Sequence, residues 1–127
     1  MSSYEVLADG TLAPITSALP TSESAACWLV ATGNGRHAYV TNTASNTVTG
    51  LAVGRDGSLA LLDADGVTAA AGTAPIDAAV SRNGRFLYVL NGADATIGAY
   101  RIRADGSLSP LGTAGGLPAG VNGLAAL

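Results

Sequence analysis

Six residues carry side chains of the kind that bind or transform a small polar molecule: Glu23, Cys27, Trp28, Asp77, Asn91 and Asp94. The three carboxylates can act as general bases or orient hydroxyl groups. The thiol of Cys27 is a nucleophile only as thiolate, which requires a base beside it. Trp28 offers a flat ring for stacking against an apolar face. Asn91, together with Ser24, Asn42, Ser45 and Asn46, adds neutral donors and acceptors. Each residue also has a structural reading. Cys behaves as a small core hydrophobe and Trp as packing between layers. Asp77, after Pro75-Ile76, can accept from backbone amides at a strand entrance. Asn at a strand end commonly satisfies turn backbone.

Other chemistries find too few residues. One histidine, His37, and one cysteine, Cys27, cannot build a zinc site. Asp63-Ala64-Asp65-Gly66 has the opening spacing of a calcium loop but lacks its third oxygen ligand and its distal Glu. Gly33, Gly35 and Ala38 nominally fit a dinucleotide fingerprint. That motif must open a helix, whereas here a strand follows. No Gly-x-Ser-x-Gly elbow and no P-loop occurs. No metal and no cofactor is expected.

The elements that must position these residues come from an internal repeat. Gly35-Arg36-His37-Ala38-Tyr39-Val40-Thr41-Asn42 aligns with Gly84-Arg85-Phe86-Leu87-Tyr88-Val89-Leu90-Asn91 at a displacement of 49 residues. The same displacement carries Asn34 to Asn83, Thr47-Val48 to Thr96-Ile97, and Asp56-Gly57-Ser58-Leu59 to Asp105-Gly106-Ser107-Leu108. A partial third copy lies upstream, where Val6, Asp9-Gly10 and Leu12 match Val53, Asp56-Gly57 and Leu59.

Segments rich in Val, Ile, Leu, Tyr and Thr run between Asn-Gly and Asp-Gly pairs, which suit type I′ hairpin turns. No segment holds a helical period. Each repeat reads as four strands, A to D. The first set is Cys27–Thr32, Arg36–Asn42, Thr47–Gly54 and Leu59–Val67. The second is Ile76–Ser81, Arg85–Asn91, Thr96–Ala104 and Leu108–Gly112. Ser3–Ala8 and Thr11–Ser17 form a C–D hairpin, and Val121–Leu127 forms a lone strand A.

Four antiparallel strands in a repeat of this length are one blade of an all-β propeller. The expected units are 1–19 (partial blade), 20–69 and 70–115 (complete blades) and 116–127 (inner strand of a further blade). Apolar residues on both sides of the second B strand agree with a sheet covered on both faces: Phe86, Tyr88 and Leu90 on one, Leu87 and Val89 on the other.

Tyr39-Val40-Thr41-Asn42 and the frame Gly-Arg-x-x-Tyr-Val-x-Asn followed by Asp-Gly-Ser-Leu resemble the propeller-type lactonases. That family includes bacterial 6-phosphogluconolactonase of carbohydrate metabolism and fungal carboxymuconate-lactonising enzyme. The resemblance extends to the ending, Gly116 to Ala126. It implies a lactone hydrolase acting on a sugar lactone, with the ligand at the mouth formed by D–A and B–C loops. There lie Glu23, Cys27, Trp28, Asp77, Asn91 and Asp94. Full members have about seven blades and a catalytic His on an inner strand. Here His37 begins a B strand, so no catalytic residue carries over. The alternative is a non-catalytic propeller module that binds a ligand or protein.

Charge and composition bound the partners. The 127 residues carry a net charge of −3, and all six cations are Arg, scattered among nine carboxylates. No basic stripe forms along the sequence, so neither nucleic acid nor membrane is an expected partner. No apolar run approaches the roughly 18 residues of a spanning segment. The start of the chain has no secretory leader pattern, which makes the cytoplasm the default location. An incomplete ring leaves apolar faces open. The first expectation is that the chain is a fragment or shortened descendant of a full propeller; otherwise closure is expected through a homo-oligomer or through partner blades.

Overall fold

The computed structural model describes residues 1–127. The β-branched and aromatic segments form eleven strands and no helix: β1 (Ser3–Val6), β2 (Leu12–Thr16), β3 (Ala26–Ala31), β4 (His37–Asn42), β5 (Thr47–Val53), β6 (Leu59–Leu61), β7 (Ala69–Ala70), β8 (Pro75–Val80), β9 (Phe86–Asn91), β10 (Thr96–Ile102) and β11 (Leu108–Ala114). Every pairing is antiparallel between sequence neighbours, apart from β7, which returns to β5. The result is a β1–β2 hairpin and two meanders, β3-β4-β5-β6 and β8-β9-β10-β11.

The meanders are two propeller blades packed face to face. Tyr39 and Val48 of the first blade meet Ala78, Leu87, Val89 and Tyr100 of the second in one buried cluster. Ala38, Val40 and Leu51 turn the other way and pack with Met1 and Leu19. The period-two alternation of β4 therefore feeds two cores at once, as a blade flanked on both sides requires, while β9 sends Leu87 and Val89 into the shared one. Leu87, Val89 and Val48 are wholly buried, each contributing about 1.5–3 kcal/mol by removing its side chain from water. Two tyrosines cross the blade interface. Tyr39 Oη donates to Gly106 O at 2.8 Å, and Tyr100 Oη donates to Ala70 O at 2.8 Å.

Three local expectations are corrected. The Asn-Gly and Asp-Gly turns are not type I′, because only the glycines have positive φ: Gly35 +67°, Gly84 +69°, Gly57 +82° and Gly106 +89°. Each is a type I turn closed by a left-handed glycine, such as Gly35 N donating to Thr32 O at 2.8 Å. The preceding side chain selects this form. Asn34 Oδ1 accepts from Arg36 N at 3.0 Å, and Asp56 Oδ1 from Ser58 N at 3.0 Å, which holds Asn and Asp in negative φ.

The first D strand is broken. Opposite Gly50, Leu62 N donates to Gly50 O at 3.0 Å and Gly50 N donates to Thr68 Oγ1 at 2.8 Å. Residues 63–66 are thereby looped out as a turn. A Cβ on Gly50 would stand 2.7 Å from Leu62 Cδ1 and 2.8 Å from Thr68 Oγ1, so both side chains pack into the space the glycine leaves. In the second blade β11 stays continuous and absorbs the same irregularity as a register shift beside Ala99.

Residues 121–127 form no strand. No strand of the chain lies alongside to complete a ladder. The segment is tied instead by Leu124 N donating to Asp77 Oδ2 at 2.8 Å.

Candidate functional site

The strand ends at the D–A and B–C loops gather most of the residues singled out by chemical type. Cross-bonds hold that end together. Ser24 N donates to Ser45 Oγ at 2.8 Å, Ala74 N to Asn46 Oδ1 at 2.8 Å, and Thr43 Oγ1 to Pro75 O at 2.9 Å. Asn46 reaches its partner from a left-handed backbone, φ 60°, a conformation Asn tolerates. Each B–C turn thus clamps a D–A connection.

Within this frame, Asn91 is buried, accepts from Gly72 N at 3.1 Å and donates to Thr96 Oγ1 at 3.1 Å. Exposed Asp94 accepts from Thr73 N at 2.5 Å, and that bond holds its carboxyl below the usual aspartate range. The half-buried Glu23 carboxylate accepts from Thr47 Oγ1. Thr47 Oγ1 accepts in turn from Asn42 Nδ2 at 3.0 Å. Asn42 Oδ1 is buried without a partner, unlike Oδ1 of its repeat-mate Asn91.

The inner strands β3 and β8 present the other candidates. Cys27 is exposed, with Sγ 3.7 Å from Ile76 O. Trp28 is 48% exposed, so its ring has an open surface. Asp77, its repeat-mate, is 3% exposed. Its two oxygens accept from Ala78 N at 2.7 Å and Leu124 N at 2.8 Å. His37 stands at the opposite end of the blade, since β3 and β4 pair Ala26 with Asn42 and Ala31 with Ala38. No histidine therefore accompanies Cys27, and no cluster of three His, Cys, Asp or Glu side chains forms anywhere. The mouth offers a half-open aromatic surface, an exposed thiol and carboxylates already bonded to amides or a hydroxyl.

The opposite end holds a feature that the linear sequence hid. Arg36, Arg85 and Arg103 line one recess, although they are dispersed along the chain. The repeat contained the signal, since Arg36 and Arg85 occupy the same place after successive A–B turns.

These antiparallel blades, with their faces stacked, define the chain as part of a β-propeller. A family model described as lactonase, seven-bladed β-propeller, matches residues 2–121. The chain belongs to that family. Solved structures share the fold. A periplasmic gluconolactonase from Pseudomonas aeruginosa superposes with a TM-score of 0.74 at 22% identity, over 93% of this chain and 34% of that one. A candidate 6-phosphogluconolactonase from Bacteroides uniformis gives 0.72 at 20% identity, over 88% and 35%. A protein of unknown function from Desulfotomaculum acetoxidans gives 0.74 at 23% identity, over 87% and 33%. The chain thus spans about one third of the length of these structures. The search of curated proteins finds no match.

Proposed function

We propose that this chain contributes part of a lactone-hydrolase site that takes a sugar lactone, of the 6-phosphogluconolactone type, at the mouth bearing Trp28 and Asp77. The carrying observation is the family match over residues 2–121. Trp28 would stack on the apolar face of the sugar ring, while Glu23, Asp77, Asn91 and Asp94 orient hydroxyls, with Cys27 at the rim. Hydrolysis needs an activated water and donors to the developing oxyanion. In a propeller such groups come from several blades around the axis, so the complete site requires blades beyond these two. Further blades of a longer chain, a second copy or a partner chain would supply them.

A specific observation supports a second reading, a binding module without catalysis. Asp77, Asn91 and Asp94 all accept from backbone amides, and no histidine shares the mouth.

Hydrolysis of 6-phosphogluconolactone, measured across size-exclusion fractions of the purified chain, separates the two. The lactonase reading expects turnover above the spontaneous rate in fractions whose mass corresponds to a closed assembly. Spontaneous rates in every such fraction would sink it and leave the binding module.

A further inference from the structure

The mouth opposite Trp28 contains a recess of about 270 Å³ between the A–B turns of both blades and the C–D turn of the second. Arg36, Arg85 and Arg103 line it, with Asn34, Asn83 and His37. Its lining contains no carboxylate, in a protein whose carboxylates outnumber its cations nine to six.

The orientation of both asparagines follows from chemistry. Asn34 Oδ1 accepts from Thr32 Oγ1 at 2.7 Å and Arg36 N at 3.0 Å. Asn83 Oδ1 accepts from Ser81 Oγ at 2.8 Å and Arg85 N at 3.0 Å. The carbonyl oxygens are therefore engaged inside their own turns, which leaves the amide NH₂ groups as free donors. Arg103 is braced by Nε donating to Ser109 Oγ at 2.7 Å, with its terminal nitrogens uncommitted in that bond. The His37 ring edge lies against Gly106, its Nε2 2.8 Å from where a Cβ would stand. The nearest acid on the same turn, Asp105, is held low first by Ser107 Oγ at 2.7 Å and Ser107 N at 3.0 Å, with a smaller contribution from Arg103, which it faces in part.

Three arginines, and two asparagines whose amide NH₂ groups are free, line one concavity, a donor-rich set matched to a tetrahedral oxyanion. Guanidinium forks bind such groups through paired charge-assisted hydrogen bonds. We propose that this recess is an oxyanion site for phosphate, free or carried as a sugar phosphate monoester. It is separate from the mouth assigned to the lactone and does not depend on that reading.

The full chain, labelled with ¹⁵N, is titrated at low ionic strength with inorganic phosphate, with glucose 6-phosphate and with glucose. Both phosphates are expected to shift the amides of 34–37, 83–85 and 103–106 saturably, and glucose to leave them unmoved. Tighter binding of glucose 6-phosphate identifies the monoester as the preferred source, and equal binding identifies the free anion. Arg85→Ala and Arg36→Ala should each weaken binding by about tenfold, the loss of one charge-assisted contact. Arg82→Ala, outside the recess, should change it less than about twofold, the scale of an exposed charge. If either alanine variant loses its dispersed spectrum, Arg103→Gln carries the same comparison. Shifts that do not saturate, that scatter over the surface, or that respond equally to Arg82→Ala overturn the site.

Discussion

Asp9, Asp56 and Asp105 stand at one position of three successive turns, and each carboxylate accepts from the backbone and hydroxyl of the residue two places on. The side-chain hydrogen bond, followed by the backbone one, holds all three below the usual aspartate range. Their stabilising contribution is therefore complete above the unfolded value of about 3.9 and drains away as pH falls through the lower folded values. Replacing Asp56 and Asp105 by Asn keeps the acceptor and removes the titration. The melting temperature of D56N/D105N is expected to fall less steeply than wild type below about pH 4. An unchanged acid limb in thermal unfolding would contradict this account. The Asp-Gly pairs announced these turns in the sequence. Their type was hidden there, because it depends on whether the carboxylate reaches forward to an amide, as Asp56 does to Ser58.

The strands β4 and β10 each send a buried phenol across the blade interface, Tyr39 to Gly106 and Tyr100 to Ala70. Burial pushes the Tyr39 hydroxyl up to about 12 and that of Tyr100 upward as well. Both stabilise the fold while protonated, fully so below the unfolded value of about 10, and that stabilisation is lost as pH rises through the folded values. Tyr39→Phe removes the bond to Gly106 O and should cost about 1 kcal/mol near neutrality. It should also flatten the alkaline fall in stability above about pH 10, as followed by denaturant unfolding. The blades themselves were legible, because the displacement of 49 residues aligns every long strand. The broken D strand was not. It is held by Gly50, where the other copy carries Ala99, together with Thr49, Asp63 and Thr68, and none of these reads from sequence as a strand break.

At the scale of the whole molecule, both ends of the two-blade stack present apolar surface. Val6 is 72% exposed on the N-terminal hairpin and Leu111 52% exposed beyond the second blade. Tyr88, Ile97 and Ala99 line an open hollow beside Leu111. By the repeat, Tyr88 is to a following blade what Tyr39 is to the second. Light scattering after size exclusion is expected to give a mass above that of one chain. Leu111→Glu should shift the distribution toward the single-chain mass while the far-UV spectrum stays β-rich. A single-chain mass for the wild type would show that these faces remain uncovered. The lactonase resemblance was legible from Tyr39-Val40-Thr41-Asn42 and its frame. The arginine recess was not, since it needs turns from two blades to meet.

The looped-out turn at 63–66 has a consequence for how molecules meet in a crowded solution. An outermost strand with a long row of unsatisfied amides and carbonyls is a template on which stray chains can add and fibrils grow. In the first blade that row is cut into runs of three and two residues, β6 and β7. The interruption is fixed in place by Thr49 Oγ1 donating to Gly66 O at 2.7 Å. A Cβ on Gly66 would collide with Thr21 O at 1.8 Å, so the turn sits tight against the backbone that leads into β3 of the same blade. Association is thereby steered away from the rim and toward the blade faces, where contact ends once those faces are covered.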